Sequence, residues 1–157
     1  MHSEEISARE QIRDRLARYT IASDRADYEA VSLCFVENGT FKIANHDELI
    51  GRREIANTLR SWAKSRGHGE RSDVFQLHLL GISLIDYQKD EARVTTYFQG
   101  FSEIGPDHVG TYNDHFRNTD GQWLIARRVA IIKWVNPASR SASKIAERNS
   151  EIIESGR

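Results

Sequence analysis

Two segments and the turn between them decide the fold: His108-Val109-Gly110-Thr111-Tyr112-Asn113-Asp114-His115-Phe116-Arg117-Asn118, then Thr119-Asp120-Gly121, then Gln122-Trp123-Leu124-Ile125-Ala126-Arg127-Arg128-Val129-Ala130-Ile131-Ile132-Lys133-Trp134-Val135. Both long segments are rich in β-branched and aromatic residues, which favour strands. The Asp120-Gly121 pair is typical of a β-hairpin turn. We therefore predict two long antiparallel strands joined by a tight turn.

Toward the N-terminus the pattern continues as strands and then changes to helices. Val74–Tyr87 and Ala92–Ile104 are strand-like, and Gly105-Pro106-Asp107 marks the turn after them. In the first third, apolar residues recur every three or four positions, which predicts amphipathic helices. The helices are predicted at Ser7–Ser23, at Tyr28–Phe35 after the N-cap Asp27, and from Gly51 to Gly67, with a strand at Thr40–Ile43. Helices followed by an antiparallel meander predict an α+β fold, in which a strongly curved sheet encloses three helices.

The domain organisation is predicted to be simple. A chain of 157 residues suits one domain, which we place at residues 1–136. Pro137 ends the last strand, and residues 137–157 are mostly polar. We interpret this tail as a loose helix or as a flap over a cavity.

Composition excludes several classes of function. There are 22 Lys and Arg against 23 Asp and Glu, so no basic excess predicts a nucleic-acid partner. No apolar run reaches the roughly 18 residues that span a bilayer, and the charged N-terminus has no signal-peptide core, so we expect a cytoplasmic protein. Cys34 is the single cysteine, and the six histidines show no metal-ligand spacing. Neither a metal nor another cofactor is expected.

Three polar residues stand on otherwise apolar elements. His78 lies within Phe75–Ile82, where a neutral imidazole would be able to act as a base, or else form a core hydrogen bond to backbone. Asp24 follows the first helix and is either a partner for such a base or a capping residue. Tyr19 lies on the apolar face of that helix, where its hydroxyl needs a partner.

The last strand contains two adjacent arginines, Arg127 and Arg128. Because side chains alternate along a strand, one points outward and the other inward. A buried arginine is costly unless it is paired, so the inward one marks an ion pair or an anion site. The pattern alone does not decide which arginine is buried.

Four short motifs together resemble a known family. They are Tyr19-x4-Asp24-x2-Asp27-Tyr28, Gly51-Arg52-x-Glu54-Ile55, Gly110-Thr111-Tyr112-x-Asp114-x-Phe116 and Asp120-Gly121-x-Trp123. In order and spacing, they are similar to SnoaL-like proteins of the nuclear-transport-factor-2-like superfamily. The resemblance runs from about Ser7 to Val135 and implies a cone-shaped α+β barrel.

Within that superfamily the chain resembles three eliminating enzymes: scytalone dehydratase, bile-acid 7α-dehydratase and hexachlorocyclohexane dehydrochlorinase. Asp24 and His78 match their aspartate at the end of the first helix and their histidine on a central strand. Tyr19 matches the bile-acid enzyme, and Arg128 matches an arginine of the dehydrochlorinase. Asn113 falls on the pocket asparagine of scytalone dehydratase if the hairpin is shifted by one residue.

The resemblance implies a cofactor-independent acid–base lyase of the dehydratase type. Asp24 would orient His78, which would remove a proton from substrate carbon. Tyr19, at the pocket mouth, would donate to the departing hydroxyl, and Arg128 (or Asn113) would stabilise developing negative charge. The same dyad would also suit a double-bond isomerase or a cyclase. A non-catalytic ligand-binding or assembly protein is the alternative of a different class.

The expected ligand is a small, apolar, cyclic molecule. Its predicted cavity lining is Tyr28, Phe35, Trp62, Phe75, Leu80, Tyr97 and Ile132. Because a curved open sheet leaves its outer face exposed, we also expect a homo-oligomer, dimer or trimer, in which Trp123 or Trp134 supplies a contact.

Overall fold

The structure, a computed structural model, describes residues 3–43, 46–68 and 75–140. Within these ranges it contains three helices and six strands, which confirm the predicted α+β class. The helices are α1 (Ser3–Asp24), α2 (Tyr28–Ser32) and α3 (Arg52–Ser65). The strands are β1 (Phe35–Ile43), β2 (Leu49–Ile50), β3 (Leu77–Gln88), β4 (Glu91–Ser102), β5 (Gly105–Thr119) and β6 (Gln122–Val135).

The strands form one curved sheet in the order β2-β1-β6-β5-β4-β3. Every pairing is antiparallel except that of β1 with β6. The register shifts within each of the three long pairings, for example between Leu80 and Ser83 and between Gly100 and Phe101. Such bulges bend a sheet, which explains how β3 to β6 curve around the helical layer.

The main difference from the predicted elements lies at the end of α2. The helix ends at Ser32, whereas the periodicity extended it to Phe35. Ile125 N donates to Cys34 O at 2.9 Å, and Phe35 pairs with Ile125 in the sheet. Pairing with β6 therefore takes these residues out of the helix. The two-residue strand β2 is too short to leave a pattern in the sequence.

The core lies between α1 and the concave face of the sheet. The predicted stripe of α1 is buried at Ile12, Leu16, Tyr19 and Thr20. On the sheet side, Phe116 and Ile125 are completely buried. Two arginines tie the helix to the strands: Arg9 Nη1 donates to Ile85 O at 2.9 Å, and Arg15 Nε donates to Trp123 O at 3.1 Å.

Only the start of the predicted tail is described. Ser139 Oγ donates to Asp107 Oδ2 at 3.1 Å, and Arg140 Nε donates to Glu103 Oε1 at 2.6 Å. The interpretation of residues 141–157 as a flap lies outside the described residues. No helix in the described ranges is long and apolar enough to cross a membrane.

Candidate active site

A cavity of about 460 Å³ lies between the concave face of the sheet and the helices. This volume is in the range of small-molecule sites, which is roughly 300–1,000 Å³. The apolar part of its wall is Phe41, Ile43, Leu59, Trp62, Phe75, Phe98, Phe101, Ala130 and Ile132. The polar part includes Tyr19, Arg66, His68, His78, Asp107, His108 and Tyr112. An apolar chamber with a few convergent polar groups is typical of a binding or active site.

Asp24 and His78 form a two-point contact at this cavity. Asp24 Oδ1 lies 2.7 Å from His78 Nδ1, and Asp24 Oδ2 accepts the backbone N–H of His78 at 2.9 Å. The two side chains are 13% and 10% exposed. Because an ionised carboxylate only accepts hydrogen bonds, Nδ1 carries the proton, and in the neutral ring Nε2 has a lone pair. The Gln76 amide nitrogen, 3.4 Å from Nδ1, is a much weaker contact.

Local structure explains how the two partners meet. Ala26 adopts a left-handed conformation (φ 58°), which ends α1 and leaves Asp24 at its last position. Asp27 then accepts from Ala30 N at 3.0 Å as the N-cap of α2, as the sequence predicted. His78 lies on β3, the edge strand, so its N–H has no strand on the outer side to pair with. The carboxylate of Asp24 takes that place.

A second imidazole–carboxylate pair lines the same cavity and was missed by the sequence analysis. His108 Nδ1 lies 2.8 Å from Asp107 Oδ2, and Ser102 Oγ donates to Asp107 Oδ1 at 2.9 Å. The rings of His108 and His78 stand edge to face with centroids 5.6 Å apart. The available signal was a glycine within a strand: Gly100 pairs with His108, and a Cβ at Gly100 would lie 2.4 Å from the His108 ring.

Burial and hydrogen bonding act in opposite directions on this second pair. Burial lowers the pKa of His108, more than the neighbouring Asp107 raises it. Burial also opposes ionisation of Asp107, but hydrogen bonds from His108, Ser102 and Ser139 outweigh it and hold the Asp107 pKa below its usual value. At neutral pH the pair is therefore a neutral imidazole beside an ionised carboxylate.

Arg128 is the buried arginine, and Arg127 points outward to Glu48 at 2.8 Å. Arg128 donates from Nε and Nη2 to Asp114 at 2.8 and 2.7 Å, with both side chains fully buried. Its guanidinium carbon lies 4.1 Å from the ring centroids of both Tyr19 and Tyr112. Although burial alone would lower the pKa of Arg128, Asp114 raises it above its usual value.

This arrangement corrects the predicted role of Arg128. The two tyrosine rings line the cavity, whereas Arg128 does not. Its charge is already matched by a buried carboxylate, so it is not a donor to a bound molecule. Arg128 acts on the site only by holding Tyr19 and Tyr112 in place. The position that resembles the dehydrochlorinase arginine is therefore part of an ion pair behind the cavity wall.

Tyr19 lines the cavity, but deep within it and not at the mouth as predicted, since it is only 5% exposed. Burial raises the pKa of Tyr19, partly opposed by the positive charge of Arg128. The phenol is therefore neutral and able to donate a hydrogen bond at ordinary pH. Tyr112, whose pKa burial also raises, is a second such donor.

Of the predicted lining, Trp62, Phe75 and Ile132 line the cavity and the remainder do not. Tyr28 and Phe35 are core residues, 6% and 0% exposed. Leu80, just before a register shift, packs against the core as a partly buried residue. Tyr97 and Asn113 lie on the outer face.

The two outer-face residues show why the prediction failed there. Tyr97 is 57% exposed, because the side chains of its neighbours Thr96 and Phe98 point inward instead. Asn113 is exposed, and its Oδ1 lies 3.4 Å from Thr95 Oγ1 on the same face. Asn113 is therefore not a cavity residue, contrary to the prediction.

Stability should fall as the pH is lowered from 7 to 5. Burial lowers the pKa values of His68 and His108 in the folded protein, so between those values and about 6.5 the unfolded chain binds more protons. The free energy of unfolding, from urea titrations at several pH values, is expected to decrease over this window. A variant with both His68→Gln and His108→Gln should show a shallower decrease than the wild type. If the free energy of unfolding of the double variant falls with pH as steeply as that of the wild type, His68 and His108 do not cause the decrease.

The fold and family follow from comparison with known proteins. A model of the SnoaL-like domain matches residues 4–129, and the chain belongs to this family. No curated protein is significantly similar to it in sequence.

Among the residues that the structure describes, no group of three His, Cys, Asp or Glu side chains is placed to hold a metal ion.

Several solved structures share the fold. An NTF2-like protein with a cystatin-like fold from Novosphingobium aromaticivorans is 24% identical, with a TM-score of 0.69 over 89% of each chain. A "Putative Scytalone Dehydratase" from the same organism is 22% identical, with a TM-score of 0.71 over 87% of this chain and 91% of that one. ActVI-ORFA from Streptomyces coelicolor is 14% identical, with a TM-score of 0.68 over 78% and 95%. At these identities the likeness establishes the fold alone.

Proposed function

We propose that the protein is a cofactor-independent acid–base lyase of the dehydratase type, acting on a small cyclic molecule. The observation that carries this proposal is the 2.7 Å contact between Asp24 and His78 at the wall of a 460 Å³ cavity. A positioned imidazole is the side chain most often used as a general base. The likeness to a dehydratase by name, at 22% identity, is in keeping with this choice.

In the proposed reaction His78 accepts a proton from the substrate and Tyr19 donates one to the leaving group. His78 Nε2 takes the proton from a carbon beside a carbonyl, and Asp24 stabilises the imidazolium that forms. The C–O bond of the β-hydroxyl then breaks, and the electron pair left on carbon becomes the new double bond. Tyr19 gives its proton to the departing oxygen, so that water leaves, and the proton on His78 finally returns to Tyr19.

Hydrogen-bond roles favour Tyr19 as the donor. His78 and His108 both use Nδ1–H toward their carboxylates, so in the neutral form each offers only an acceptor to the cavity. Tyr19 and Tyr112 supply hydroxyl groups whose pKa values burial keeps high. We propose that His108 accepts a hydrogen bond from a substrate hydroxyl and so helps to orient the ring.

The test is turnover of a panel of cyclic β-hydroxy ketones, followed by absorbance of the conjugated enone. The wild-type protein should dehydrate at least one compound, and His78→Gln should not. His115→Gln, which changes a histidine on the outer face, is the matched control and should retain full activity. Equal activity of the wild type and His78→Gln would overturn the proposal.

The product separates the proposed lyase from its alternatives. Isomerases and cyclases share the first step, removal of a proton from carbon, so incubation in D₂O would still place deuterium in the substrate. If deuterium enters but no water is lost, the dyad belongs to an isomerase or cyclase. If no compound in the panel exchanges or reacts, the result favours the alternative of a non-catalytic ligand-binding or assembly protein.

We also propose that the protein is a homo-oligomer, dimer or trimer, built through the outer face of the sheet. Trp123 is only 3% exposed and packs against Tyr87, so it is not a contact residue as the sequence suggested. The outer face instead exposes Leu84, Tyr97 and Trp134, at 68%, 57% and 46%.

Light scattering should give a mass of about two or three times the chain mass of 18.0 kDa. Substituting Leu84→Glu on the outer face should lower that mass toward one chain. A mass of one chain for the wild type at micromolar concentration would contradict this expectation.

For location we propose the cytoplasm, which is in keeping with a free, buried thiol at Cys34.

A further inference from the structure

The end of α3 presents two polar side chains to the cavity. Gly67 N donates to Lys64 O at 2.9 Å and His68 N donates to Ala63 O at 3.0 Å, with Gly67 at φ 78°. This pair of bonds around a left-handed glycine is the Schellman motif, which fixes the backbone where a helix ends. Arg66 and His68, on either side of Gly67, both line the cavity. Their backbone positions are therefore set before any ligand arrives.

Neither side chain has a hydrogen-bond partner among the residues described. His68 is 8% exposed, and both of its ring nitrogens are buried without a partner. The backbone of Ser23 lies near the ring but does not meet hydrogen-bond geometry. Arg66 forms no side-chain hydrogen bond or ion pair within the described ranges, and burial lowers its pKa. Arg66 is half-buried. Buried polar groups are normally satisfied, so the two unpartnered ring nitrogens of His68, beside an arginine that also has no partner, point to a missing ligand at this cavity.

The other charged groups of the cavity are already matched. Asp24 accepts two hydrogen bonds from His78, and Asp107 accepts from His108, Ser102 and Ser139. At the rim, Arg140 pairs with Glu103. Arg66 is thus the one cation on the described cavity wall without a carboxylate in contact.

From this we infer that Arg66 and His68 form a subsite for a carboxylate group on the substrate. The inference rests on the proposed function and narrows its substrate class from an apolar ring to a cyclic carboxylic acid. A guanidinium presents a planar fork that matches the two oxygens of a carboxylate, and neutral His68 can donate one further hydrogen bond. The apolar wall around Trp62 would receive the ring.

The competing explanation is that Arg66 serves only to balance the negative charge of Asp107. These two groups interact through space without a close contact. In that case a neutral ligand would bind as well as an acid, and removal of Arg66 would affect both equally.

Binding distinguishes the two explanations without any turnover. The probes are benzoate, cyclohexanecarboxylate and 2-naphthoate, each against its amide, with affinity measured by calorimetry. At least one acid should bind about 10- to 100-fold more tightly than its amide, as expected for hydrogen bonds to a charged group. Arg66→Gln should remove that preference, and Arg66→Lys, which keeps the charge but loses the fork, should retain part of it.

Arg60→Gln is the matched control, because Arg60 lies on the same helix and pairs with Glu29 at the surface. It should leave the acid preference unchanged. The inference is wrong if no acid is preferred over its amide, or if Arg60→Gln weakens acid binding as much as Arg66→Gln. His78→Gln should still bind the acid with the same preference over its amide. If the wild-type protein binds the acid but dehydrates no compound, the proposed function alone is wrong.

Discussion

Substitution of Asp114→Ala is expected to lower the free energy of unfolding by about 3–5 kcal/mol, as measured by urea denaturation. The change leaves the guanidinium of Arg128, which is completely buried, without its carboxylate. Its Nη1 already lacks a hydrogen-bond partner, so the loss of two further bonds would leave all three of its nitrogens unsatisfied. Stacking between Tyr19 and Tyr112 offsets part of this cost but cannot replace an ion pair.

The neighbouring arginine provides the control. Glu48→Ala removes the partner of Arg127, which is half-exposed, so the cost should stay below about 1 kcal/mol. A double variant, Asp114→Leu with Arg128→Met, should recover most of the stability, because an apolar pair carries no desolvation penalty. A loss for Asp114→Ala no greater than that for Glu48→Ala would show that the buried pair does not stabilise the fold.

Substitution of Asp24→Asn is expected to reduce kcat about 10²- to 10⁴-fold on whichever substrate the panel identifies, with little change in KM. The carboxylate accepts two hydrogen bonds from His78, one from the backbone N–H and one from Nδ1. A side-chain amide has one acceptor oxygen and one NH₂ donor. Asparagine would therefore accept from one of these two N–H groups and place its own NH₂ against the other. The imidazole would lose either its fixed tautomer or its orientation, and in both cases its strength as a base.

Asp27→Asn is the matched control for this prediction. Asp27 is three residues away and caps α2 from an exposed position, where asparagine caps equally well. Its kcat should remain close to that of the wild type. If Asp24→Asn keeps kcat within about threefold, the carboxylate does not activate His78 and the proposed mechanism is wrong.

The fold was largely predictable because its signals are local and repeated. The change from a period of 3.6 to a period of 2, together with the Asp120-Gly121 turn, placed the helices and the long strands to within a few residues. The errors occurred where long-range contacts decide. Phe35 fits a helical pattern, but it joins the sheet because β6 pairs with it.

The site was predictable only in part, because a cavity wall depends on side-chain direction. Asp24 and His78, which the motifs singled out, lie in contact in the structure. Along β4 the inward side chains are those of Val94, Thr96 and Phe98, so Phe98 lines the cavity and Tyr97 does not. The sequence pattern alone did not decide which of the two alternating sets points inward. The position of Arg128 matches an arginine of the dehydrochlorinase. The structure reveals that Asp114 already pairs with this charge, which the sequence alone does not show.

The proposed role of His78 as a base depends on its tautomer, which long-range ¹⁵N–¹H correlation NMR of the six histidines can determine at about pH 8. His78→Gln identifies the signal by its loss. The contact with Asp24 predicts a proton on Nδ1 and a bare Nε2 facing the cavity. In the Asp24→Asn variant the proton should no longer be confined to Nδ1 of His78. A wild-type signal with the proton on Nε2 would mean that His78 is not the base, because the nitrogen that faces the substrate would have no lone pair to accept a proton.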